Sequence, residues 1–343
     1  MTLFFEGRRT FLGRTLAGLG LVALARAIDG LAPGFARGLA HAQELWAQIR
    51  GLSAEVTPVG SFYTVSKNIF DPAVDPATWR LAIKGKVERP ANLTLNELRA
   101  LPSITKPHTL MCISNEIGGD LISNAVWRGV ALRTVLERAG VLPGARQLIL
   151  RARDGYTDSF PLTAALRDGT ILAYEMNGKP LEPRHGFPLR ALVMGLYGFK
   201  NVKWLSELEV AHSDHKGYWP ARGWTDTAIY KTFSRIDAPP PGAALTRGTR
   251  TWIAGVAFGG DRGIRAVEIS VDEGTTWQPA RLKSAMGDHT WVLWAFEWTP
   301  TATGPATLMV RAIDGTGALQ PVGPKPPLPD GVEGLHAVSV NVR

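Results

Sequence analysis

One cysteine, Cys112, stands in a chain of 343 residues, within the run His108-Thr-Leu-Met-Cys-Ile-Ser-Asn-Glu-Ile-Gly-Gly119. Its solitude constrains the chemistry. No intrachain disulfide can form, and iron–sulfur clusters and Cys-rich zinc sites need several thiolates. A c-type haem is excluded because no Cys-x-x-Cys-His occurs. Three readings remain. The thiol is inert and buried, as free cysteines often are. Or it is a nucleophile served by a histidine such as His108 or His185. Or it is one protein ligand to a metal held mainly by something else.

The N-terminus bears on that choice. Arg8-Arg9-Thr10-Phe11-Leu12 is a twin-arginine signature, followed by an uncharged stretch over 15–25 and a small-x-small triplet, Ala40-His41-Ala42. Eleven residues fall short of the roughly 20 that span a bilayer, so residues 1–42 read as a cleavable leader. An uncleaved leader acting as a weak anchor is the alternative. Twin-arginine export carries folded proteins, commonly because a cofactor must be inserted first. The expected location is therefore the periplasm. Removing 1–42 takes away five arginines and two acids and lowers the formal net charge from +8 to +5. That charge fits solubility and weak attraction to anionic partners. With no Lys/Arg cluster, nucleic acid is not an expected partner.

Two textures follow the leader. Residues 43–236 mix helix and strand signals. The stretch 79–84 alternates and ends at Gly85, reading as a strand. Thr94-Leu-Asn-Glu97 is a capping box opening a short helix. Leu132, Val135, Leu136 and Ala139 fall on one helical face before a stop at Gly140. Strands are expected at 148–152, at the apolar run 189–194 and over 202–210. In the last, Val202, Trp204, Leu208 and Val210 share one face and Lys203, Glu207 and Glu209 the other. After the stiff linker Ala238-Pro-Pro-Pro-Gly242 helical patterns cease. Alternation at 265–272, 291–298 and 307–313, with turns at Asp272-Glu-Gly274 and Asp314-Gly315, predicts an antiparallel β-sandwich over 237–343. The fold class is α+β.

Four stretches in this order resemble the sulfite oxidase superfamily of molybdopterin enzymes. They are Thr109-Leu-Met-Cys-Ile-Ser-Asn-Glu116, Trp127-Arg-Gly-Val-Ala-Leu-Arg133, the run Leu172-Ala-Tyr-Glu-Met-Asn-Gly-Lys-Pro-Leu181 with His185-Gly-Phe-Pro-Leu-Arg190, and Tyr197-Gly-Phe-Lys-Asn-Val-Lys-Trp204. The resemblance covers nearly all of the chain after the leader. It implies a molybdopterin-binding domain over 43–236 and an immunoglobulin-like sandwich over 237–343 that serves dimerisation in the family.

It also implies that Cys112 is the one protein thiolate on molybdenum, a reasonable partnership for a soft ligand. The pterin carries an anionic phosphate, and His185, Arg190, Lys200 and Lys203 are the cations at matching positions. Gly198, with Phe199 beside it, would admit close backbone approach to the ligand. Phe62, Tyr63 and Asp154 match further positions near the cofactor.

The departures concern substrate. Sulfite oxidases carry an arginine soon after the metal cysteine, whereas 115–119 here holds Glu116 and no cation. A carboxylate at the metal would repel sulfite. The family's active-site tyrosine is matched by Trp224, with Arg222 a candidate anion contact. The implied activity is two-electron oxygen-atom transfer on a small substrate other than sulfite. Sulfite dehydrogenation and reduction of an S-oxide such as methionine sulfoxide are the alternatives. The electron partner would be external, a c-type cytochrome or a membrane haem protein. A non-catalytic periplasmic binding protein is the reading from another class.

Overall fold

The computed structural model describes residues 45–343, and the expected leader lies outside the described residues. Residues Gly51–Arg343 are built on four sheets. In the first, the order is Ala91–Leu93, Leu81–Gly85, Leu205–Ala211, Gln147–Ala152 and Thr157–Pro161, with Leu81–Gly85 and Leu205–Ala211 running parallel. The second is antiparallel: Ser103–Met111, Ile122–Ala131, Ile171–Met176 and Lys179–Pro180, with Arg190–Leu192 also on Ile171–Met176. Its core gathers Leu110, Ala125, Trp127, Ile171, Ala173 and Leu192 around Phe62.

Local chemistry sets the short helices. Thr94 Oγ1 accepts from Glu97 N, and the Glu97 carboxylate accepts from Thr94 N, so Leu95–Arg99 starts on a reciprocal cap. Leu132–Ala139 buries Leu132, Val135, Leu136 and Ala139, and Gly140 closes it at φ 69°. The expected strand at 189–194 narrows to Arg190–Leu192, buried throughout.

The expected strand over 202–210 starts only at Leu205. Trp204 takes a positive φ of 50°, which breaks the extended backbone, so Lys203 does not alternate with Glu207 and Glu209. Strand Ser103–Met111 carries Lys106, Pro107 and His108, which mask its apolar alternation in the sequence.

The remaining two sheets face each other as a β-sandwich. One runs Phe233–Ala238, Thr251–Phe258, Val292–Trp298, Arg281–Leu282; the other runs Ala244–Leu245, His336–Val342, Gly304–Asp314, Ile264–Ser270, Gln278–Pro279. Ile253 and Trp294 from the first pack on Val267, Ile269, Leu308, Val310 and Val338 from the second. The expected boundary between 236 and 237 falls inside the strand Phe233–Ala238, which pairs with Thr251–Phe258.

The sandwich grips the chain on both sides of Cys112. Arg235 donates to the Gly119 carbonyl at 2.7 Å. Gly118 sits at φ 69°, where an added Cβ would lie 2.2 Å from the His336 ring. Thr109 N donates to the His289 carbonyl at 2.9 Å, and Trp291 N returns a bond to Thr109 Oγ1 at 2.9 Å.

Candidate active site

Cys112 follows directly on the strand Ser103–Met111, where the chain leaves the sheet. Its N–H donates to Leu121 O at 2.9 Å, and its carbonyl accepts from Asn115 N at 3.2 Å. Asn115 Oδ1 accepts from Leu121 N at 2.9 Å and closes the loop. The thiol is buried, 3.0 Å from Ser114 Oγ. Burial pushes it up, against the pull of Ser114. It opens onto a cleft with about 920 Å³ of empty volume, mouth included.

That cleft collects most of the residues singled out from sequence. Phe62, Tyr63, Asp154, His185, Arg190, Gly198, Phe199, Lys203 and Trp224 line it with Cys112. They come from separate segments that only the fold brings together.

Arg190 is buried at 5% exposure yet faces no carboxylate. Its guanidinium donates to His185 O at 3.1 Å and Asn201 O at 3.2 Å, lies 5.0 Å from the Trp127 ring, and leaves Nε without a partner. Burial lowers it to about 10. Lys203 Nζ reaches Ser66 Oγ at 2.7 Å and Arg184 O at 3.1 Å, and burial lowers it to about 8. Gly186, at φ 103°, makes room for that lysine, because a Cβ there would meet Lys203 Cβ at 2.9 Å.

Two positions lie elsewhere. Lys200 is fully buried behind the cleft wall, with Nζ 2.8 Å from Asp158 and 2.6 Å from Asp226, and donates to Ser159 O. Its charge is consumed by carboxylates, so it is not a free phosphate cation. Breaking such a buried pair costs about 3–5 kcal/mol, and its work is structural. Arg222 is exposed, donates to Tyr218 O at 2.8 Å and stacks 3.6 Å from the Tyr218 ring. It is not part of the cleft lining.

Two further expectations change. Glu116 is exposed and turned away from the cleft, so it does not oppose an anion at Cys112. Gly198 does not make room for a ligand. An added Cβ would lie 2.6 Å from the Tyr63 hydroxyl and 3.1 Å from Met111 O, so the glycine admits protein.

Sequence reading missed Lys67, Tyr156, Arg184 and Trp219, which also line the cleft. Arg184 adjoins His185, and an arginine beside an expected site residue was a usable signal; His185 itself is no cation in the fold, because burial keeps its ring neutral. Tyr156 donates toward Asp158 and Phe199 O, bracing the turn Gly198–Lys200. Asn201 staples the same turn, accepting from Val193 N and donating to Leu196 O and Tyr197 O.

The lining thus offers Lys67, Arg184, Arg190 and Lys203 against one carboxylate, Asp154. All four cations spend their donors on neutral oxygens. Unneutralised cations in a walled cleft hold anions well. Together with one buried thiol as a soft ligand, this donor set fits a large anionic cofactor bearing a metal.

A histidine-activated thiol is not assembled. His185 Nε2 lies 3.0 Å from Val59 O, and burial lowers the ring to about 4. His108 is buried, its ring 6.0 Å from that of His289, with neither nitrogen hydrogen-bonded. Burial, with His289 adding to it, lowers His108 to about 3.

Both rings are held neutral in the fold but charge in the unfolded chain below 6.5. Unfolded chains therefore bind more protons, and stability present above 6.5 is lost as pH falls toward 4 and 3. The slope is about 1.4 kcal/mol per pH unit for each ring. His108→Leu is expected to remove one such contribution from urea unfolding followed between about pH 4 and 6. Identical slopes in variant and wild type would refute the neutral assignment.

Comparison with known proteins agrees with this donor set. The chain matches the oxidoreductase molybdopterin binding domain over residues 68–219 and the Mo-co oxidoreductase dimerisation domain over 228–326. It is 33% identical over 320 residues to a sulfite oxidase of Gallus gallus, covering 78% of this chain and 68% of that protein. It is 28% identical over 330 residues to a sulfite oxidase of Arabidopsis thaliana, covering 79% and 83%. The solved structure of the sulfane dehydrogenase SoxCD from Paracoccus pantotrophus shares the fold, with TM-score 0.74 at 23% identity over 85% of this chain and 84% of that one. An enzyme whose cofactor is molybdopterin with molybdenum, built as a molybdopterin-binding domain and a β-rich second domain, this chain belongs to the sulfite oxidase superfamily of molybdopterin-dependent oxidoreductases.

Proposed function

We propose that the enzyme performs two-electron oxygen-atom transfer on a small substrate other than sulfite. Residues 1–42 would direct its export by the twin-arginine route, and the sandwich would pair two subunits. Cys112 would hold the metal, while Arg190 and Lys203, with the neutral His185 ring beside them, would hold the anionic end of the pterin. When bound, the cofactor supplies the redox and oxygen-exchange chemistry; the protein orients it and sets its field. Trp219 and Trp224 line the cleft and would limit water there. Trp224 stands where a titrating tyrosine would be expected, and an indole N–H donates hydrogen bonds without taking part in proton transfer.

One observation carries the substrate reading. The wall nearest Cys112 in sequence is Ile113 and Ser114, and no arginine occurs in 113–121. Loss of one charge-assisted contact to an oxyanion is worth about 1.5–3 kcal/mol. Steady-state assays should therefore give a kcat/KM for sulfite at least about tenfold below that for the best substrate in a screen of small oxygen-atom donors and acceptors that includes methyl S-oxides. Efficient turnover at micromolar sulfite would sink the ranking. Sulfite dehydrogenation is the second reading, favoured by the unneutralised cations Lys67 and Arg184 in the same cleft.

A further inference from the structure

The segment 65–70 borders the cleft mouth. Val65, Ser66 and Lys67 line the cleft, and Asn68 Nδ2 donates to Asp154 O at 3.2 Å. Beyond them Ile69 and Phe70 stand 94% and 84% exposed. Each forgoes about 1.5–3 kcal/mol of burial free energy, and adjacent exposed apolar side chains of this size mark an interaction surface.

Charge surrounds the tip. Lys67 and Arg222 both lie over the Tyr218 ring, at 5.6 and 3.6 Å. Arg184 is exposed and lines the same cleft, the exposed Arg153 is next in sequence to the lining residue Asp154, and Asp71 directly follows the tip. None of the four cations forms a salt bridge among the described residues.

We infer that the Ile69–Phe70 tip and its surrounding cations are the docking surface for an electron-carrier protein that presents an acidic rim around an exposed redox edge. The inference rests on the oxidoreductase reading above, in which electrons must enter or leave beside Cys112. A small apolar contact suits the transient, low-area interfaces of redox partners. The cations steer an acidic surface onto it and raise the on-rate. Each encounter moves one electron. When the substrate is oxidised, a ferric haem becomes ferrous as the reduced enzyme gives up one electron; when an S-oxide is reduced, a ferrous haem becomes ferric as the oxidised enzyme takes up its electron. Two encounters complete a two-electron turnover in either direction.

The test uses holoenzyme of measured molybdenum content, reduced with dithionite and desalted. It is mixed rapidly with an acidic ferric c-type cytochrome or with ferricyanide. In the double variant Ile69→Ser, Phe70→Ser the second-order rate constant with the cytochrome should fall tenfold or more, with the ferricyanide rate unchanged. The wild-type cytochrome rate should also fall steeply with ionic strength. An unchanged cytochrome rate overturns the inference, as does an equal loss with both acceptors. So does a variant that loses self-association or binding to anionic phospholipid vesicles while keeping its cytochrome rate, which would assign the tip to a second copy or to a membrane. Molybdenum-loaded, dithionite-reduced protein that passes electrons to neither acceptor sinks the oxidoreductase reading and the docking with it. Loaded protein indifferent to the double substitution sinks the docking alone.

Discussion

Replacing Cys112 by serine is expected to lower turnover more than about 100-fold, beyond the 10–100-fold cost of losing an outer partner of a metal ligand, with molybdenum content falling in step. The fold should survive. The side chain is buried beside Ser114 Oγ, and a hydroxyl of similar size can keep that contact. A shift in melting temperature of about 1–2 °C would correspond to roughly 1 kcal/mol in a chain of this size.

The chemistry does not survive, because a serine hydroxyl stays protonated and is a hard, poor substitute for thiolate. The wild-type thiol is itself pushed up by burial, so binding of the metal must release its proton. Loading of apo protein should therefore acidify a weakly buffered solution in the wild type and do so less in Cys112→Ser. Near-normal turnover in the variant would remove the ligand assignment and return Cys112 to an inert buried thiol.

The second large effect is expected at Arg190. Its two carbonyl acceptors belong to different segments, His185 on the turn Pro183–His185 and Asn201 after the turn Gly198–Lys200. One guanidinium thus ties together two walls of the cleft while aiming an unpartnered Nε. Arg190→Met leaves two buried carbonyls unsatisfied, at about 1–3 kcal/mol each. It also removes the buried cation that, on the proposed reading, would hold the phosphate.

Arg190→Lys should fail nearly as badly. An ammonium lacks the fork that reaches both carbonyls and the planar face that lies on Trp127. Pterin and molybdenum per chain should drop at least about tenfold in both variants, given the 1.5–3 kcal/mol that a hydrogen bond to a charged group contributes. A readout independent of activity is available: inorganic phosphate should raise the melting temperature of wild-type apo protein and not that of Arg190→Met. A variant that keeps full cofactor stoichiometry would leave Arg190 a structural residue alone.

What the sequence determined by itself was the chemistry on offer and the local elements. A lone cysteine limits what it can ligate, a Thr-x-x-Glu box starts a helix, Gly140 ends one, and period-two alternation marks strands such as 265–272. These are short-range effects, set by neighbours within a few residues, and the matching elements appear in the fold. Tertiary structure decided which charges were free. Lys200 and Lys203 lie three residues apart and look alike in sequence. One is neutralised by Asp158 and Asp226 behind the wall, and the other is freed into the cleft by the positive φ of Trp204 and the missing Cβ of Gly186. Glu116 is adjacent enough to Cys112 in sequence to suggest a repulsive carboxylate, yet the loop closed by Asn115 turns it to solvent. Lys67 carries no local mark, because its role comes from a segment folded across from residues more than eighty positions away. The electrostatics of a site depend on distance through space and on desolvation, and neither is written along the chain.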